Sequence, residues 1–333
     1  MKNLVFEADV AACIGVNFGG PRSQAEIASF LNELLTDQEV VRTPLPKWIH
    51  KILFGKIAKK RSHKLAEDYA QIGGCSPIYE DTEAVMKALG KLLPFPTLSF
   101  HRYLPATHAE FIDKVRALPC GEIRVFPFFP QFSYATTGSI AKFFHEHFPK
   151  DICQRLRWIK SYPAHHTYIQ VMRNMIEVFM QENQLVEEQT LLLFSAHGLP
   201  ASFIQQGDVY LSECKMTFKK IAQYFPKALS RLSFQSKFGP GEWIRPYTSD
   251  FVEKIEGLEK QRSSIVVVPL SFTSDHIETL FEIEEEYLPP LRSQGFKAFR
   301  LPAMNRRSEW VEAIASILQE EGVVSNRMLL RKN

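Results

Sequence analysis

The sequence predicts an α/β protein built as two Rossmann-like, doubly wound parallel-sheet lobes with an active-site cleft between them. Three observations carry this expectation. Short apolar runs alternate with helical stretches along the chain, the pattern of parallel sheets covered on both faces. The strands are too many for one comfortable sheet, and 333 residues are enough for two medium-sized domains. A break at Pro149-Lys150-Asp151 splits the chain roughly in half. The expected parts are a first lobe over residues 1–150, a second over 151–306, and a C-terminal helical segment over 307–333 that packs back on the first lobe.

The elements follow in order. Ala11 to Phe18 is a strand closed by Gly19-Gly20-Pro21. That turn lacks both G-x-G-x-x-G and the Lys-Ser/Thr of a P-loop, so it reads as a tight strand-to-helix turn. Helical periodicity runs from Gln24 to Leu35. Thr97 to Tyr103 and Glu122 to Phe129 are strands, with a helix from Ala106 to Leu118 between them. Thr136-Thr137-Gly138-Ser139 opens a helix reaching about His147. Leu156 to Ile159, Leu191 to Ser195, Arg231 to Gln235 and Ile265 to Ser271 complete the strands. Helices are expected over His165 to Gln181, Ser212 to Ala222, Thr248 to Leu258, Asp275 to Leu288 and Arg307 to Glu321.

The stretch 42–64 differs in kind. Trp48, Ile49, Ile52, Leu53, Phe54 and Ile57 mix with Lys47, Lys51, Lys56, Lys59, Lys60 and Arg61. A helix there is apolar on one side and strongly basic on the other. That pattern suits a helix lying on anionic lipid, or a lid over a large apolar ligand. An ordinary surface helix is the plain alternative.

Composition narrows the classes. A formal net charge of +3 implies no nucleic-acid partner. The five cysteines are scattered, odd in number and without C-x-x-C, which predicts free thiols in a reducing, cytoplasmic setting. No signal peptide is expected, and no apolar run reaches the length of a membrane span. Nothing in the pattern sets an oligomeric state.

Chemistry concentrates in two blocks. Leu191-Leu192-Leu193-Phe194-Ser195-Ala196-His197-Gly198-Leu199-Pro200 delivers a histidine from the end of a core strand, where open sheets place their ligands. Ser271 to Tyr287 repeats the arrangement after the strand Ile265 to Leu270 and adds carboxylates. At helical spacing Asp275, Glu278, Glu282 and Glu286 share one face, opposite Ile277, Leu280, Phe281 and Leu288. No Lys or Arg interrupts that stripe between Arg262 and Arg292. The stripe is either a solvated acidic face or a line that handles cations or protons.

These blocks resemble the ferrochelatase family. Ser195-Ala196-His197-Gly198-Leu199-Pro200, Phe272-Thr273-Ser274-Asp275-His276-Ile277-Glu278-Thr279-Leu280, Gln235-Ser236-Lys237-Phe238-Gly239-Pro240 and Ile72-Gly73-Gly74-Cys75-Ser76-Pro77 are similar to its signatures. Asn17 to Pro21, Arg102-Tyr103 and Thr136 to Ser139 match further landmarks in family order. The resemblance implies a lyase of the chelatase-like fold that inserts Fe(II) into a porphyrin, the terminal step of haem biosynthesis. It implies His197 and Glu278 as the catalytic and metal-handling pair, with the division between metal ligand and proton acceptor left open. Asp275 and His276 would orient that pair, Glu282 and Glu286 would extend it, and the helix would be widened to a π-helix. Arg61, Lys64, Arg102, Tyr103, Ser236 and Trp243 would bind the porphyrin, with Leu45, Ile49 and Ile52 at the apolar lip.

Two departures from the family pattern matter. Tyr134 stands where some relatives carry an iron–sulfur cysteine, and no cysteine follows Cys214. The expectation is no [2Fe–2S] cluster and no cofactor beyond the substrate iron. Phe18, close to the porphyrin face in the family, offers no metal ligand. Protoporphyrin is the expected substrate. A coproporphyrin enzyme, a cobalt or sirohydrochlorin chelatase, and a non-enzymatic two-lobed haem-binding protein are the alternatives. Peripheral contact with an anionic membrane is expected through 42–64.

Overall fold

The structure, a computed structural model, describes residues 9–319 and 322–331. Nine strands occur among the described residues, in chain order: β1 (Val10–Asn17), β2 (Thr97–His101), β3 (Glu122–Pro127), β4 (Leu156–Trp158), β5 (Thr190–His197), β6 (Leu229–Gln235), β7 (Ser264–Pro269), β8 (Lys297–Arg300) and β9 (Val324–Ser325). They form two sheets, ordered β2-β1-β3-β4-β9 and β6-β5-β7-β8. The chain divides into two compact units, one of residues up to Ser161 with those from Arg306 onward, the other Tyr162–Asn305.

The first unit is parallel except at one edge. β1 pairs parallel with β2 and β3, and β3 with β4. β4 is therefore part of the first sheet, which moves the division from residue 150 to Ser161. The C-terminal chain returns to this unit, where β9 pairs antiparallel with β4. The helix Ser308–Leu318 buries Trp310, Ile314 and Leu318. It packs on a helix at Ile78–Leu89 that the sequence reading did not foresee. Glu320 and Glu321, the expected end of the Ser308 helix, lie outside the described residues.

The second unit is fully parallel. β5 pairs with β6 on one side and β7 on the other, and β7 pairs with β8. The short β8 escaped the sequence reading because Lys297-Ala298-Phe299-Arg300 has no apolar run; it is an edge strand with little to bury. β5 and β7 lie inside the sheet, so both faces are covered and their sequences are continuously apolar. Alternation then sorts the side chains. Leu191 and Leu193 join Ile265, Val267, Ile283, Leu288 and Leu291 in one core. Phe194 faces the other way, against Phe218. His197 is in phase with Leu191 and Leu193, so the register brings it out on the side of Ile283 and Leu288.

The strand order turns round at β5, which makes the carboxyl ends of β5 and β7 a topological switch point, where doubly wound sheets bind ligands. Truncating the core beneath it should be costly. Leu193→Ala should destabilise the chain by about 2–5 kcal/mol through lost burial and an unfilled cavity. In calorimetry this should appear as a melting temperature lower by roughly 6–12 °C.

Candidate active site

His197 is the last residue of β5 and is held from both sides of its backbone. Its N–H donates to Ser271 Oγ at 2.9 Å, and its carbonyl accepts from Tyr210 Oη at 3.0 Å. The next residue must be glycine. Gly198 N–H donates to the Gln235 carbonyl at 2.7 Å, and a Cβ on Gly198 would lie 2.6 Å from that oxygen. Pro200 then bridges to Trp243. Trp243 is buried, with its ring against Phe238. It therefore packs on the loop behind His197.

Glu278 comes from the segment after β7. Asp275 anchors its start. One Asp275 oxygen accepts from Arg300 Nη1 at 2.7 Å and Thr279 Oγ1 at 2.9 Å, the other from Asn305 Nδ2 at 2.7 Å. Asp275 thus stands apart from the line of carboxylates that its helical spacing predicted, because Arg300 and the loop after β8 claim it. Arg300 also donates to Glu284 at 2.8 Å, a carboxylate outside the stripe. From Glu278 to Tyr287 the backbone is a π-helix. Such widened turns recur at functional sites. Here the wider turn lets Glu278, Glu282 and Glu286, spaced by four, stack more directly than α-geometry allows.

These elements meet at one contact: His197 Nδ1 lies 2.8 Å from Glu278 Oε2. The imidazole side chain is 35% exposed and the carboxylate 27%. His276 Nε2 stands 3.8 Å from the same oxygen, and its Nδ1 is 3.2 Å from the Ser274 carbonyl. Burial opposes a charge on either member of the pair, yet each offsets that cost for the other. For His197, the charge of Glu278 and their hydrogen bond outweigh burial and raise the imidazole above its ordinary value. For Glu278, the opposing charge and hydrogen bonds of His197, followed by those of His276, hold the carboxyl well below the usual carboxylate range.

Behind Glu278 the line continues. Ser236 Oγ is 3.2 Å from Glu278 Oε2 and donates to Glu282 Oε2 at 2.5 Å. Glu282 also accepts from Ser236 N at 2.7 Å, Gln235 Nε2 at 2.9 Å and Tyr287 Oη at 2.6 Å. Gln235 is itself fixed by Ser195, whose Oγ donates to its side-chain oxygen at 2.7 Å. Ser236 has φ 61°, a left-handed conformation that costs a non-glycine residue on the order of 1 kcal/mol. Both its backbone N–H and its hydroxyl serve Glu282, which is what holds it there. The sequence reading placed Ser236 with porphyrin carboxylates; in this structure its hydroxyl meets Glu278 and Glu282. Glu286, four residues further along the same π-helix, is exposed. Gln235 and Tyr287 were missed, since a glutamine at a strand end and a tyrosine in a helix give no signal of what they touch.

The other expected residues lie in the first unit. Arg102 Nη2 donates to Asp37 Oδ2 at 2.9 Å, and Tyr103 Oη to the same oxygen at 3.2 Å. Phe18 packs on Tyr103. The stretch 42–64 does form a helix, Lys47–Gln71. Arg61 and Lys64 are exposed on it. Ile49 and the preceding Leu45 are half-buried, while Ile52 is 55% and Trp48 66% exposed.

The family model described as Ferrochelatase matches residues 11–322. The chain belongs to the ferrochelatase family. It is 42% identical to the ferrochelatase of Chlamydia caviae over 97% of this chain and 99% of that one. The ferrochelatase of Chlamydia muridarum is 43% identical over 91% of this chain and 92% of its own. Among solved structures, SirB from Bacillus subtilis with Fe3+ is similar at a TM-score of 0.50 and 12% identity, covering 92% of this chain and 94% of that one. At that identity the likeness concerns the fold alone, which both ferrochelatase and SirB share.

The electrostatics of the pair have a measurable consequence. The raised His197 contributes stability below its ordinary value near pH 6.5, lost as pH climbs through the raised value. The lowered Glu278 contributes above about pH 4.5, lost as pH falls through its depressed value. Glu278→Gln removes the opposing charge and leaves burial in control. His197 should then titrate below its ordinary value, visible as a shift in its imidazole NMR titration; an unchanged midpoint would contradict the 2.8 Å contact.

Proposed function

We propose that this ferrochelatase inserts Fe(II) into protoporphyrin IX to give protohaem, with His197 and Glu278 as the groups that meet the reacting centre. The 2.8 Å contact between them at the switch point carries the reading. Metallation releases two pyrrole N–H protons and strips water from Fe(II). It needs a base that is neutral when it acts. It also needs ligands that hold Fe(II) without trapping it, and imidazole with carboxylate is such a set.

The arrangement supports a sequence of events. In the empty site the pair is an internal ion pair, and the proton on His197 must leave before the imidazole can accept another. Ser236, Glu282 and Glu286 form a route from Glu278 towards exposed positions, and His276 steadies the Glu278 carboxylate. The macrocycle delivers its N–H groups to the side of the pair, and the protons released leave along the same carboxylates. Arg61 and Lys64 suit the propionates, and Leu45, Ile49 and Ile52 the apolar rim. Arg102 and Tyr103 act through Asp37.

The apolar, basic helix supports protoporphyrin, whose edge opposite the propionates is wholly apolar. We further propose that the chain works without an iron–sulfur cluster, on the grounds of Tyr134 and a C-terminal sequence free of cysteine. No helix among the described residues is long and apolar enough to cross a membrane. Exposed Trp48, Ile52 and Leu53 beside Lys51 and Lys56 support peripheral attachment to an anionic membrane facing the cytoplasm.

Two experiments test these points. His197→Ala should leave the fold intact and lower iron insertion by at least about a hundredfold, and Glu278→Gln should be similar. Glu286→Gln should cost much less, because it lies at the exposed end of the line. Equal and small effects of the two glutamate substitutions in a Fe(II) insertion assay would reduce the stripe to a solvated face. Separately, Ile52→Glu should weaken binding to phosphatidylserine vesicles and raise the KM for porphyrin more than that for Fe(II). Wild-type binding should fall as salt is added, since each basic residue near the surface contributes about 1 kcal/mol of screened attraction.

A further inference from the structure

The segment leading into the basic helix Lys47–Gln71 is held by buried charge. It begins at Asp37, just after the helix Ile27–Thr36. The Asp37 carbonyl accepts from Val40 N at 3.1 Å and Val41 N at 2.9 Å, and its Oδ1 accepts from Glu39 N at 2.8 Å. The other carboxylate oxygen takes Ser139 Oγ at 2.5 Å besides Arg102 and Tyr103. Gln38 Nε2 reaches the Leu45 carbonyl at 3.2 Å.

Glu39 is the second anchor. Its side chain is only 6% exposed, and each oxygen has its own cation. Lys142 Nζ lies 2.9 Å from Oε1, and Arg331 Nε lies 3.0 Å from Oε2. Lys142 comes from the helix Ser139–His147, whose Glu146 also meets Lys47 at 3.8 Å. Arg331 arrives by a separate route. β9 fixes the C-terminal segment on β4, and Asn326 Nδ2 donates to the Ala141 carbonyl at 2.9 Å. Leu329 is fully buried, and its carbonyl sits where a Cβ on Gly138 would come within 3.2 Å. The tail is thus seated up to two residues before Arg331, so the guanidinium reaches Glu39 from a fixed base.

We propose that Arg331 is a positioning residue for porphyrin binding. It acts through Glu39, which sets the path of 39–46 and so the placement of Leu45, Ile49 and Ile52. The proposal rests on the reading of that helix as the porphyrin lip. Its physics is that of a half-neutralised buried carboxylate. Without Arg331, Glu39 Oε2 keeps no partner in a site shielded from water, and a buried charge stripped of one partner is costly. The relief open to it is to turn towards solvent, and that turn carries the lip segment with it. His197 and Glu278 belong to the other unit.

The test uses the full chain with four variants: Arg331→Met, Arg331→Lys, Glu39→Gln and Arg331→Met combined with Glu39→Gln. Arg331→Met should raise the porphyrin KM by about three- to tenfold, with kcat and the KM for Fe(II) within about twofold of wild type. Arg331→Lys should recover most of the loss, as the charge returns without the planar fork. The double variant should be little worse than either single one, because both break the same pair. An unchanged porphyrin KM in Arg331→Met, or a kcat that falls in step with melting temperature, would overturn the proposal; so would additive effects. Ile52→Glu, measured alongside, separates the two readings. If it raises the porphyrin KM while the Arg331 variants are silent, only the positioning role fails. If it too is silent, the lip reading fails and this proposal with it.

Discussion

The opposition of His197 and Glu278 across 2.8 Å governs the carboxyl end of the second sheet. Each group favours the charged form of the other against the cost of burial. The surroundings are arranged to keep both in reach: Ser271 and Tyr210 fix the histidine's backbone, while Asp275 with Arg300 fixes the start of the helix that bears the glutamate. In the proposed roles, metal and porphyrin compete with an interaction already satisfied, and a base and a ligand become free together when the pair separates.

The carboxylates behind the pair behave differently from one another, and the difference comes from their donors. Glu282 is surrounded by donors from Ser236, Gln235 and Tyr287, which fixes its orientation. Glu286 is exposed at the far end. The buried end of the helix thus carries the carboxylate with the most donors, and the exposed end carries Glu286. The π-helix is what lets residues four apart follow one another along it.

Much of this was legible in the sequence, and the limits have physical causes. Strands buried on both faces, such as Thr190–His197 and Ser264–Pro269, announce themselves as apolar runs. Their polar termini mark the site without any knowledge of packing. The carboxylate spacing also carries through for Glu278 and Glu282, which share Ser236 as a donor. Asp275 shows where periodicity stops informing. Its partner is an arginine on the edge strand β8, which has too little to bury to be seen in sequence. The neighbours of Trp243 and Ser236 were hidden for a related reason: a large apolar residue and a hydroxyl are each compatible with several environments, and only the fold shows what they touch. The Asp37 and Glu39 anchors gave no signal, because their cations come from Arg102, Lys142 and Arg331, which only tertiary structure brings together.

The return of the C-terminal chain to the first unit has a consequence for how the molecule comes to exist. The first sheet is missing β9 until the whole of the second unit has been synthesised. During that interval the outer edge of β4 stays open, and an open strand edge is a template for pairing with other chains. At a ribosomal pace of about 5–20 residues per second the delay is on the order of ten seconds. The nascent first unit therefore spends that time one strand short, and only residues made after the second unit close it.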